Sequence, residues 1–220
     1  METDETMTKA KWPLETGLAV GNALLERLRG HCQPDCCVIA GSLRRQKREV
    51  GDVEILYVPK IGLIQRPGEM FESEGSEADY AINGLLRAGK LAKRLNKDGH
   101  AAWGSLNKLA VHVATGMPVD FFATTWDNWF VSLVIRTGPK ELNVALIESA
   151  RKRGLQLHAY GAFSQIRTGE PVFPRSEREV FDLAGLNYLT PEERNQCQWL
   201  THHTFSVACY LTPEERNQCQ

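Results

Sequence analysis

Two carboxylates stand one residue apart in Gly51-Asp52-Val53-Glu54-Ile55-Leu56, ten and twelve positions after the Gly41-Ser42 pair. In an extended strand, residues i and i+2 point to the same face, so Asp52 and Glu54 aim at one spot while Val53 and Ile55 turn to the core. Two acids that close repel unless a cation sits between them. Hard divalent ions such as Mg²⁺ take such oxygen ligands together with substrate phosphates. The preceding Gly41, Ser42, Arg44 and Arg45 supply what a phosphate needs: backbone N–H groups, a hydroxyl and guanidinium forks. Acids that hold cations against a triphosphate are the equipment of nucleotidyl transfer.

A third acid, Asp120, breaks the apolar run Met117-Pro118-Val119-Asp120-Phe121-Phe122. It follows Lys108–Val113 and the turn-like Ala114-Thr115-Gly116, which together predict a β-hairpin with Asp120 on its second strand. Val119 and Phe121 are core-like, so Asp120 is expected on the opposite face, beside Asp52 and Glu54. Each feature alone is ordinary, since a D-x-E strand is usually an exposed polar stripe and Gly-Ser is usually a turn. The ordered set of three is what carries information.

At these residues the chain resembles the nucleotidyltransferase superfamily, and within it the family X DNA polymerases. The likeness extends past the acids. Thr137-Gly138-Pro139-Lys140-Glu141-Leu142-Asn143 resembles the segment that opens the family's thumb, and Leu155–Phe163 resembles its Tyr-Gly turn. Ser176–Leu186 and Tyr188–Glu192 are similar to its closing helix and tail, so the resemblance spans roughly residues 14–194. It implies Mg²⁺, with Mn²⁺ as an alternative, held by Asp52, Glu54 and Asp120 as catalytic and metal residues. It also implies nucleotide binding by Gly41, Ser42, Arg45, Gly51, Gly138 and Asn143. The implied activity is addition of a nucleotide from a nucleoside triphosphate to the 3′-hydroxyl of primer-template or gapped DNA, in gap filling or repair. Three departures stand out. Glu54 replaces the family's usual Asp, Ile135 and Arg136 replace an aromatic pair beside the sugar, and Val144 and Ile147 occupy template-contacting positions. Two alternatives are a nucleotidyltransferase with another acceptor (RNA, protein or a small molecule) and a decayed nucleic-acid-binding relative.

The elements that must position these residues follow from the rest of the chain. With 220 residues, 42% of them hydrophobic, there is ample material for a core. The expected class is α+β: a nucleotidyltransferase palm, a mixed sheet with flanking helices, followed by a small α/β thumb. The expected boundaries are a flexible tail over 1–13, a palm over 14–125, a thumb over 126–195 and a tail over 196–220. Leu14, Leu18, Leu25 and Leu28 predict an amphipathic helix over 14–29, closed by Gly30. Residues 37–40 and 52–58 read as strands, 61–76 as a loop or flap, 78–95 as a basic helix and 108–123 as the hairpin. Trp126, Trp129 and Phe130 read as core rather than base-stacking platforms, and Gly138-Pro139 invites a cis peptide.

The net charge is −1, so any nucleic-acid contact must come from local clusters: Arg44–Arg48, Lys90–Lys97 and Arg151–Arg153. Neither the His31, Cys32, Cys36, Cys37 group nor Cys197, His202, His203, Cys209, Cys219 has zinc-site spacing, and both read as plain thiols. No stretch is long and apolar enough to span a membrane and the amino terminus is unlike a signal peptide, which predicts a cytoplasmic protein; a monomer is expected. Tyr188–Gln198 recurs unchanged as Tyr210–Gln220, too short a copy and too few repeats for a solenoid.

Overall fold

Leucines at helical spacing give the fold its first layer. The computed structural model describes residues 10–96, 99–158 and 161–196. A two-residue strand β1 (Trp12–Pro13) leads into helix α1 (Leu14–Leu28), whose Val20, Leu24, Leu25 and Leu28 are buried. Strand β2 (Cys32–Ile39) follows, then the single-turn helix α2 (Gly41–Arg44), the short β3 (Glu49–Val50) and β4 (Val53–Pro59). A hairpin of β5 (Ile61–Ile64) and β6 (Ser73–Ser76) precedes helix α3 (Glu77–Arg87), whose Ser76 cap accepts from the Asp79 N–H. Strands β7 (Leu91–Lys93), β8 (Asn107–His112) and β9 (Met117–Ala123) complete the larger sheet, in the order β2-β4-β9-β8-β7.

Alternation along these strands divides the sheet. Val53, Ile55, Val119 and Phe121 face α1 and α3 in a fully buried cluster. Truncating Phe121 there would cost about 3–5 kcal/mol. A buried charge on this side is satisfied: Lys108, 2% exposed, sits 2.8 Å from Asp79, which also accepts the Tyr57 hydroxyl at 3.0 Å. On the other face, Leu56, Val58 and Phe122 pack with Trp129 and Leu133 of helix α4 (Trp129–Thr137).

Helix α4 also enters a second core. Its Val131 and Val134 pack with Leu142 and Leu146 of helix α5 (Lys140–Lys152), Phe163 of strand β11 (Ala162–Gln165), and Val180 and Phe181 of helix α6 (Glu177–Ala184). Strands β10 (Leu155–His158), β11 and β12 (Pro171–Val172) form the small antiparallel sheet of this half. The whole is α+β, as expected.

Several local expectations change. Residues 61–76 are a hairpin with a turn, not a loop throughout. The predicted 78–95 helix stops at Arg87, because Gly89 takes φ +66°, a conformation glycine adopts without strain, and the chain turns into edge strand β7. Strand β2 begins at Cys32 rather than Cys37, with an irregular register between Cys32 and Cys37 and Asp35 at φ +58°. The first cysteine group therefore lies within a bulged strand, and Cys32, Cys36 and Cys37 are buried free thiols. The second group lies outside the described residues, as do most of the amino-terminal tail and the second copy of the repeat. Trp129 is buried and Phe130 half-buried, but Trp126 is 64% exposed. The Gly138-Pro139 bond is cis.

Candidate active site

Parallel pairing of β4 with β9 sets the site. Its register places Glu54 opposite Asp120 and Leu56 opposite Phe122, on the face that α1 and α3 leave open. Asp52 lies just before β4 and reaches the same side by strand alternation. Behind Glu54, Gly41 takes φ +62°. A Cβ there would stand 2.9 Å from the Glu54 carboxyl carbon, so glycine is required both for the turn and for the closeness of the carboxylate.

Ser42, Arg45, Asp52, Glu54, Gly138, Pro139 and Asn143 line one cavity of about 340 Å³, with Ile135, Arg136 and Lys140. The sheet, the α2 turn and the α4–α5 junction thus converge there. Of the residues singled out in the sequence, Ser42, Arg45, Asp52, Glu54, Gly138 and Asn143 meet in this cavity; Gly41 backs Glu54, and Gly51 immediately precedes Asp52 in the chain. Two lining atoms, Ser42 Oγ and Asn143 Oδ1, are buried without a hydrogen-bond partner among the described residues. Buried oxygens left without partners are costly and mark a place prepared for a donor. The Asn143 amide nitrogen donates to the Ile135 carbonyl at 2.8 Å, which fixes Oδ1.

The electrostatics are asymmetric. Burial first, then the charges of Asp52 and Asp120, push the Glu54 carboxyl up to about 8 against the opposing Arg136 and Arg45. At neutral pH the acid therefore holds a proton unless more positive charge arrives. Asp120 has found a cation already: its Oδ1 lies 2.5 Å from Arg94 Nη2. Among the described residues no three His, Cys, Asp or Glu side chains are gathered closely enough to hold an ion. The donor set nonetheless fits a hard divalent cation in kind, with three carboxylates on one face and one of them poorly ionised for want of charge.

Arg44 and Arg45, expected to face phosphate, are largely committed to the protein. Arg44 grips Glu177 with both terminal nitrogens, at 3.0 and 2.5 Å, and donates to Thr137 Oγ1 at 2.7 Å. Arg194, fully buried, donates to the same Glu177 at 2.8 Å. Burial alone would raise the Glu177 carboxyl; the hydrogen bonds and charges of Arg44 and Arg194 outweigh it and hold the group below its usual range. Arg45 donates to the Thr137 carbonyl and, through Nε at 3.1 Å, to Asn195 Oδ1, while the Asn195 amide returns a bond to the Arg45 carbonyl at 2.6 Å. Arg136 stacks 3.7 Å from the Phe122 ring centroid, at the cavity wall. Sequence reasoning missed Arg94, Glu177, Arg194 and Asn195 as partners of the site. Their partners lie 17 to 150 positions away, and no local pattern announces them.

Comparison with known proteins bears on the carboxy-terminal part of the chain. Residues 132–195 match the DNA polymerase beta thumb family. DNA polymerase IV of Saccharomyces cerevisiae is 34% identical over 77 residues, which are 35% of this chain and 13% of that protein. The chain thus spans a small part of that relative's length. Both likenesses are to DNA polymerases, and the fold is α+β. The segment that runs from within α4 to beyond α6 is thus similar to a beta-type polymerase thumb.

Proposed function

We propose that the chain adds a nucleotide from a nucleoside triphosphate to a DNA 3′-hydroxyl, in gap filling or repair, with Mg²⁺ or Mn²⁺ at Asp52, Glu54 and Asp120. In this reading residues 14–125 act as palm and 126–195 as thumb, and the protein works as a cytoplasmic monomer. Among the described residues no helix is long and apolar enough to cross a membrane. One observation carries the proposal: the acids Asp52 and Glu54 share a cavity with two unpartnered buried oxygens, from the α2 turn and the α5 helix.

The 3′-oxygen attacks the α-phosphorus, the bond to the bridging oxygen breaks, and pyrophosphate leaves. A bound divalent ion lowers the pKa of the attacking hydroxyl and neutralises charge on the phosphates. Asp120 receives the proton of the hydroxyl. Asp52 and Glu54 orient the reacting groups, and Glu54 ionises as positive charge enters. The Ser42 hydroxyl donates to a phosphate oxygen, which supplies the partner its Oγ lacks. Arg45 has Nε and Nη1 tied to the thumb, so Nη2 is its donor for the leaving phosphates, where charge grows as the bond breaks. Asn143 and the Gly138 turn hold the sugar and base.

Extension of a labelled primer on gapped DNA, given each dNTP and NTP in turn with and without Mg²⁺, tests this. Products one nucleotide longer that vanish with chelator support it. Transfer to RNA or protein alone would assign another acceptor.

A further inference from the structure

The larger sheet sets four residues in one row. Glu54 pairs with Asp120, Asp120 pairs with Leu109, and the Arg94 N–H donates to the Leu109 carbonyl at 2.9 Å. Arg94 therefore stands on the side of Asp120 away from Glu54, two strand spacings off, roughly 10 Å between backbones, which an extended arginine covers. Its Nη2 reaches Asp120 Oδ1 at 2.5 Å.

This contact is built differently from the Arg44–Glu177 pair. Arg44 meets Glu177 through two nitrogens. For Arg94 the bond to Asp120 runs through Nη2, and Nε is buried without a hydrogen-bond partner among the described residues. A planar fork used at one tip, with a neighbouring donor unsatisfied, holds its carboxylate without saturating the guanidinium.

We infer that Arg94 is a positioning residue of the site, one that draws the Asp120 carboxylate away from Glu54 and competes for it with a divalent cation. The inference rests on the function proposed above. Its consequence is a division of effects. Removing the guanidinium leaves the acids more negative and so tightens cation binding, while Asp120 loses its alignment and turnover falls. A residue needed only for folding would weaken both.

The experiment is a Mn²⁺ titration of the full chain without nucleotide, followed by electron paramagnetic resonance of the free ion, on wild type, Arg94→Gln and Arg94→Lys. Arg94→Gln should bind Mn²⁺ about threefold to tenfold more tightly, as loss of one nearby screened charge would produce. Its single-turnover incorporation rate should fall about tenfold or more. Arg94→Lys keeps the charge and should hold wild-type Mn²⁺ affinity. Thermal melts confirm folding, and should Arg94→Gln not fold, Arg94→Met replaces it. Unchanged or weaker Mn²⁺ affinity in the folded neutral variant overturns the inference, as does a wild type that binds no Mn²⁺. Tighter Mn²⁺ binding in a protein that never extends DNA would keep the role of Arg94 and remove the polymerase reading.

Discussion

Two charged regions lie side by side in this molecule and are built on opposite principles. In the seam between α2 and α6, Glu177 accepts from Arg44 and from Arg194, and Arg45 exchanges hydrogen bonds with Asn195. One carboxylate there answers two arginines and ionises more readily than usual, while Arg194 Nη1 stays without a partner among the described residues. A few ångströms into the cavity the balance reverses. Glu54 is buried among acids and resists ionisation, and Ser42 Oγ and Asn143 Oδ1 have no partner. The Arg44–Glu177 contacts tie α2 to α6. A buried acid kept from ionising and buried oxygens without partners are a cost that a ligand would remove, which makes the second region the candidate functional one.

The largest effect that could break this comparison is on turnover. Asp52→Asn should lower the single-turnover incorporation rate by about a thousandfold or more while leaving the melting temperature within a few degrees. A comparable loss of stability would make Asp52 structural. Next comes Glu177→Gln, which strands two arginines and should cost about 3 kcal/mol in urea unfolding at pH 7. The wild-type advantage from Glu177 exists above the ordinary carboxylate pKa of 4.5 and fades as pH falls through its lower folded value.

Glu54 should behave in the opposite sense. Its carboxyl is raised from 4.5 to about 8, so the folded state holds a proton that the unfolded chain has lost. Its destabilising effect therefore grows as pH rises from about 4.5 to 8. Glu54→Gln should melt higher than wild type at pH 8 and level with it near pH 4.5, measured by calorimetry across that window. A pH-independent difference would mean the carboxyl is not held protonated. The smallest effect is at the rim of the seam: Asn195→Ala removes one donor and one acceptor and should cost about 1–2 kcal/mol.

Much of this was legible in the sequence, and what was not has physical reasons. The arrival of Asp52 and Glu54 at one cavity follows from strand alternation, and the resemblance of Thr137–Asn143 to the segment that opens the family's thumb pointed to Gly138 and Asn143, which line the same cavity. The hairpin over 61–76 was hidden because Gly62, Gly75 and three glutamates give no period-two pattern. Strand β7 was hidden because Leu91-Ala92-Lys93 continues a helical pattern, and only the backbone turn at Gly89 interrupts it. That error concealed Arg94, since a residue placed on a solvated helix face has no reason to meet Asp120. The Arg44–Glu177 pair joins positions 133 apart, and only the folded chain reveals such a partner.

In the function proposed above, Asp52, Glu54 and Asp120 form a cation-dependent nucleotidyl-transfer site. Quenched-flow incorporation of one nucleotide into gapped DNA, by wild type and Asp120→Ala across a Mg²⁺ series, tests it most directly. The account predicts a rate that rises and saturates with Mg²⁺ in wild type and a product below detection in the variant. Incorporation by Asp120→Ala at the wild-type rate, or wild-type product formed equally in chelator, would contradict it.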